Sequence, residues 1–231
     1  MRNDKDAEIQ INEIKANTVD MEDTFLFGCK MCGDCCRKRS EAIILTGYDV
    51  YNIAKATNLT PLEVLTKYTE CQRGTDSHLP IVYLKERFDG SCSLLRKGKC
   101  TIQKDKPVVC RLYPLGRYYD GSGHKYFKQR ASCVGAGVEI KVKDWLEEFG
   151  IAELDEVSEL WAQLITSAAL YMLNIEKKNP KLAKDFYESC IIFFYCYYDM
   201  TKPAIDSLKK GVTYLEEKYK GFKVKNQLPT I

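Results

Sequence analysis

Eight cysteines in two clusters govern what this chain can fold into: Cys29-x2-Cys32-x2-Cys35-Cys36 near the start, then Cys92-x7-Cys100-x9-Cys110 and Cys133. Thiolates bind soft and borderline metals, and four of them complete a zinc site or an iron–sulfur cubane. Such spacing points to metal or iron–sulfur ligation, and eight sulfurs make two sets of four. Cys29, Cys32 and Cys35 recur every three residues, so one loop can wrap a single centre and offer three sulfurs, as ferredoxin runs do. On that repeat the chain leans to an iron–sulfur cluster, with Zn2+ the other candidate. Side chains of adjacent residues diverge on an extended backbone. The sequence therefore assigns one of Cys35 and Cys36 to a second centre or an outer layer.

A centre with four thiolates carries a net charge of roughly −2, and two such centres need cationic surroundings. The chain provides them. Residues 29–40 hold Lys30, Arg37, Lys38 and Arg39 against Asp34 alone, and residues 92–117 hold Arg96, Lys97, Lys99, Lys104, Lys106, Arg111 and Arg117 against Asp105 alone. Arg111, beside Cys110, is positioned by sequence to donate an N–H to sulfur. Residues 144–159 carry seven acids and no base, so the net charge of +3 is unevenly spread. Cys71, Cys190 and Cys196 stand outside the pattern; Cys190 falls on an apolar helical stripe and reads as a small buried hydrophobe.

Hydrophobic content of 45% and charged content of 29% over 231 residues suit an ordinary globular chain with a real core. The first residues are polar, without an apolar leader segment. The longest apolar run, 191–198, falls far short of the roughly 20 residues of a membrane helix. The expected location is the cytoplasm with no membrane contact, where thiols stay reduced and dense cysteine patterns mean metal or catalysis. A secreted disulfide scaffold would instead have to pair eleven cysteines.

The expected fold class is α+β: a small irregular cysteine-rich metal-binding module with short strands and helices, followed by a helical C-terminal region. The divisions are 1–24, a polar N-terminal arm; 25–150, the cysteine-cluster domain; and 151–231, the helical region. Thr46 with Asp49, and Thr60-Pro61 with Glu63, predict helix starts, giving helices over about 47–57 and 61–70. A short strand is expected at 42–45, another at 79–84, and a hairpin over 117–129. From Leu154 to Ile175, Leu182 to Tyr197 and Ile205 to Tyr219 apolar residues recur at helical period. Pro180, the segment 201–203 and Gly221 punctuate these three helices.

The string Phe27-Gly28-Cys29-x2-Cys32-Gly33-x-Cys35-Cys36, with Cys92-x7-Cys100-x-Ile102, Pro107-x2-Cys110-Arg111-x-Tyr113-Pro114 and Cys133-x-Gly135-x-Gly137, resembles the CxxCxxCC family. These are the YkgJ-type zinc- or iron-chelating domains. The resemblance covers about residues 25–150. It implies that Cys29, Cys32, Cys35, Cys36, Cys92, Cys100, Cys110 and Cys133 form the ligand set. The chain departs from the family at Gln103 and Lys106, which touches contacts around the ligands and leaves the ligands themselves in register.

Three functions follow. The first is a metal-ion or iron–sulfur protein whose centre is structural or carries electrons, with the C-terminal helices as a surface for a protein partner. The second is an S-adenosylmethionine-dependent protein lysine methyltransferase-like enzyme. It is suggested by flagellin lysine N-methylase, a relative with a similar cysteine pattern but different spacing in the first cluster. No glycine-rich nucleotide loop follows a clear strand, and His78 and His124 are too far apart in sequence to suggest a catalytic pair. No catalytic residue is assigned. The third is a nucleic-acid-binding zinc protein using Arg37–Arg39, Lys125, Lys128 and Arg130 beside Tyr118, Tyr119, Tyr126 and Phe127. Charge compensation accounts for those bases equally, so nucleic acid is not the expected partner.

Overall fold

A computed structural model describes residues 4–37, 42–120, 123–129, 137–148 and 150–226. Helix α1 (Asp4–Ala16) leads into strands β1 (Thr18–Val19) and β2 (Thr24–Phe27). After the first cysteine loop come β3 (Ile44–Leu45), α2 (Gly47–Thr57), α3 (Pro61–Tyr68), β4 (Thr69–Arg73) and β5 (Pro80–Leu84). A tight hairpin of β6 (Leu95–Arg96) and β7 (Lys99–Cys100) precedes α4 (Val108–Leu112). Strands β8 (Leu115–Tyr119), β9 (His124–Lys128) and β10 (Val138–Lys141) follow, then α5 (Val142–Glu148). The chain closes with α6 (Ile151–Lys178), α7 (Pro180–Tyr195) and α8 (Ala204–Asn226). This is a mixed α+β fold with a helical C-terminal region.

Both helix starts read from sequence are capping boxes. Thr46 Oγ1 accepts the Asp49 N–H at 3.2 Å while the Asp49 carboxylate accepts the Thr46 N–H at 2.8 Å. Thr60 and Glu63 repeat the exchange at 3.3 and 2.7 Å. Helix α3 stops at Tyr68, short of the expected 70, because Thr69–Arg73 pairs antiparallel with Pro80–Leu84. That pairing gives the sheet order β3-β5-β4. Helix α8 runs through Gly221, where a stop was expected; an interior glycine costs a helix only about 1 kcal/mol. Strand β10 pairs with β2 from Val138↔Phe27 to Lys141↔Thr24, an element too short to announce itself by alternation. The hairpin expected over 117–129 is β8–β9, extended by β1 into a three-stranded sheet.

Apolar burial forms two clusters. The larger runs from Leu45, Ile53, Val64, Val82 and Leu94 to Leu164, Met172, Phe194 and Leu208, so α6–α8 and the α2–α3 region share one core. Each fully buried Leu, Ile or Phe there contributes about 1.5–3 kcal/mol. Gly47 fits against the end of α7: a Cβ there would lie 2.0 Å from Phe194 O and 2.1 Å from Tyr198 Oη. The smaller cluster gathers Phe25, Phe27, Leu112, Leu115, Tyr126, Val142 and Leu146. Trp145 seals it, edge-on to Phe25 and Phe27, with its Nε1–H on Leu112 O at 3.0 Å. Arg117 ties β8 to α6 through Asp155 Oδ1 at 3.1 Å and Ser158 Oγ at 2.5 Å. Among the described residues no helix is long and apolar enough to cross a membrane.

Candidate metal centre

The first cysteine loop leaves β2 and folds back on itself. Gly33 has φ 75°, in the left-handed region, and a Cβ there would meet Gly98 O and the Arg37 guanidinium at 3.0 Å. Only glycine accepts both the conformation and the approach. A 3-10 turn then spans Asp34–Cys36, with Cys36 N–H on Gly33 O and Arg37 N–H on Asp34 O, both at 3.0 Å. The Arg37 guanidinium reaches back to Cys32 O at 2.7 Å, clasping the loop from Cys32 to Arg37.

The extended backbone on which the Cys35 and Cys36 side chains would diverge does not form here. The backbone at Cys35 and Cys36 is coiled, so the two side chains face the same way, with their sulfurs 3.9 Å apart. The contact between the two sulfurs lowers the Cys35 thiol to about 6, while the same contact followed by burial pushes Cys36 well above the ordinary thiol range.

The second cluster is carried to the first by backbone bonds. Cys92 N–H donates to Cys36 O at 2.8 Å, and the Cys92 sulfur accepts the Leu94 N–H at 3.4 Å. Cys100 arrives on β7 through the two-residue turn Lys97-Gly98, with φ of 47° and 78°, the type I′ geometry that suits a tight hairpin. Cys110 sits in α4 with its N–H on Pro107 O at 2.8 Å. The start of that helix is fixed from across the fold: Asp49 Oδ1 accepts the Val108 N–H at 2.8 Å.

Five sulfurs are thereby linked by electrostatic influence, Cys110 through Cys92 and Cys100. Cys36 is pushed up by Cys35, Cys92 and Cys100; Cys100 by burial first, then by Cys92 and Cys35. Burial pushes Cys110 up to about 12, with Cys92, Asp49 and Cys100 adding to it. Lys106 opposes the rise at Cys100 and Cys110 and favours the Cys35 thiolate. Among the described residues Arg111 makes no hydrogen bond to sulfur. Its Nε–H donates to Lys106 O at 2.7 Å and its guanidinium lies over the Tyr48 ring, 5.6 Å from the centroid. Arg111 thus holds the segment that presents Lys106.

Cys92 is buried, Cys36, Cys100 and Cys110 are half-buried, and Cys29, Cys32 and Cys35 are exposed. Cys29 and Cys32 occupy the outer limb of the loop and make no hydrogen bond to another cysteine among the described residues. Cys133 lies outside the described residues. The ten described cysteines are all free thiols. Cys190 is buried in α7, as its stripe position suggested. Among the described residues, no three His, Cys, Asp or Glu side chains stand close enough to grip an ion as placed. Asp49 was legible only as a helix cap, and Lys106 only as one base among many.

A coiled loop, a turn, a hairpin and a short helix thus carry the described cysteines of the two clusters. Residues 28–134 match the model of the CxxCxxCC family, described as a "putative zinc- or iron-chelating domain", so that span of the chain is similar to it. No curated protein matches the chain, and no solved structure does.

Proposed function

We propose that the chain is a thiolate metal-binding protein whose inner site takes one zinc or ferrous ion on Cys35, Cys36, Cys92 and Cys100. A second site then falls to Cys29, Cys32, Cys110 and Cys133. The observation that carries this reading is the 3.9 Å between the Cys35 and Cys36 sulfurs. Two thiolates on one tetrahedral ion, each about 2.3 Å from it, stand about 3.8 Å apart. In a cubane each iron takes a single protein thiolate, so paired sulfurs at this spacing favour a single ion over a cluster. That reverses the preference drawn from the three-residue repeat.

A bound zinc ion supplies cross-linking without redox chemistry, and a ferrous ion in the same shell adds a one-electron couple. This chain's own residues do the rest. Arg37 and Gly33 shape the loop, Cys92 N–H and Cys36 O join the clusters, and Lys106 offsets the negative charge. The reading favours a reducing compartment such as the cytoplasm, where thiols remain available.

The test is elemental analysis of protein purified without oxygen. Wild type is expected to hold about two ions per chain, Cys36→Ser to lose about one, and Cys71→Ser to lose none. Less than about half an ion per chain in the wild type, or an unchanged Cys36→Ser, contradicts it.

A further inference from the structure

A second feature lies beside the cysteine module and beyond its metal chemistry. A groove of about 400 Å³ opens between α3 and the segment from β5 to β6, lined by Lys67, Lys85, Arg87 and Arg96 with the rings of Tyr68 and Phe88. Glu86 is its one acid. We propose that this groove binds single-stranded nucleic acid, with phosphates on its four cations and a base stacked on Phe88.

Three observations converge on that ligand. First, like charges are held together here. Arg87 and Arg96 both donate to the carbonyls of Ser93 and Leu95, with 3.2 and 3.0 Å to Ser93 O, so their cationic ends cannot part. Among the described residues no ion pair engages Lys85, Arg87 or Arg96, and an anion between them relieves the repulsion. Second, Phe88 is entirely exposed, yet its turn is rigid. Arg87 N–H bonds Ser91 O at 2.8 Å, Gly90 N–H bonds Arg87 O at 2.9 Å, and Asp89 accepts both Ser91 N–H and Oγ–H. A ring presented to water on a fixed turn is a stacking platform, and every base offers a face to it. Third, the shape is concave, with the Tyr68 ring in its lining and the Phe88 ring standing fully exposed at it. A lipid surface calls for several apolar side chains on one plane, whereas base stacking beside phosphate contacts uses the ring and the cations together.

The groove is distinct from the β8–β9 face weighed from sequence. There Tyr126 is buried and the Phe127 ring lies against Gly116, so neither can stack on a base.

The test is fluorescence anisotropy of a labelled oligothymidylate of about 12 nucleotides, titrated with the metal-loaded full chain in low salt. Saturable binding is expected, weakened about fivefold or more in Phe88→Ala. The double variant Lys85→Gln with Arg96→Gln should reduce the salt slope by about 1.4. Phe88 touches nothing that holds the fold, so unchanged metal content in Phe88→Ala certifies that variant. An oligonucleotide affinity insensitive to Phe88→Ala overturns the proposal. So does the absence of saturable binding, or capture of phosphatidylserine vesicles or polyglutamate in place of the oligonucleotide.

Discussion

Asp49 and Val108, 59 residues apart in sequence, are joined by a 2.8 Å hydrogen bond from the Val108 N–H to Asp49 Oδ1. The other carboxylate oxygen of Asp49 caps α2 through the backbone and hydroxyl of Thr46. One buried carboxylate therefore sets the start of α2 and the start of α4, the helix that carries Cys110. Placement of that sulfur depends on a group that is no candidate ligand in the proposed set.

Asp49→Ala leaves the Val108 N–H unpaired and removes a cap. Urea unfolding is expected to show a loss of about 2–4 kcal/mol. Asp49→Asn keeps one acceptor and loses less. Burial raises the Asp49 carboxyl above its ordinary value, against the bonds from Thr46 and Val108 and the charge of Arg111. Stability from a raised carboxyl is full below the unfolded pKa of about 3.9 and is lost as pH rises through the folded pKa. The stability difference should thus shift toward Asp49→Asn as pH rises through that window; a pH-independent difference argues against it.

Metal loading should release protons. Cys35, lowered to about 6, is already a thiolate near neutrality, whereas Cys36 and Cys100 are raised and must shed theirs. Filling the inner site near pH 7.5 is expected to release at least about two protons per ion, and apparent affinity should fall about 100-fold per pH unit on acidification. Titration in weak buffer measures the count. Release of none contradicts the ligand assignment.

Gly47→Ala forces a Cβ into Phe194 O and Tyr198 Oη. Both α2 and α7 are held by the shared core, so the overlap has nowhere to go. A loss of about 1–3 kcal/mol is expected from denaturant unfolding. An unchanged midpoint shows that α7 can yield there.

Much of this fold was legible because the signals were local. Thr46/Asp49 and Thr60/Glu63 announce α2 and α3, and the 3.6-residue stripes from Leu154 onward announce α6–α8. Strand β4 and the pair β2–β10 were not legible, since Thr69–Arg73 and Val138–Lys141 become strands only through partners distant in sequence. At the site, cysteine identity was plain but direction was not. Whether Cys35 and Cys36 diverge depends on φ and ψ through a turn set by Gly33 and clasped by Arg37. Arg111 reads as a sulfur donor by adjacency, yet the Lys106 carbonyl and the Tyr48 ring take its guanidinium.

Thiol labelling separates ligands from bystanders. Cys29, Cys32 and Cys71 are all exposed. Iodoacetamide followed by peptide mass analysis is expected to modify all three in the metal-free chain and Cys71 alone in the loaded chain. Equal labelling of Cys29 and Cys32 in both states removes them from the second site.

X-ray absorption at the edge of whichever metal the purified protein carries tests the centre most directly. The expected result is a shell of about four sulfurs near 2.3 Å with no metal–metal scattering at cubane range. A first shell of nitrogen and oxygen, or strong iron–iron scattering, contradicts it.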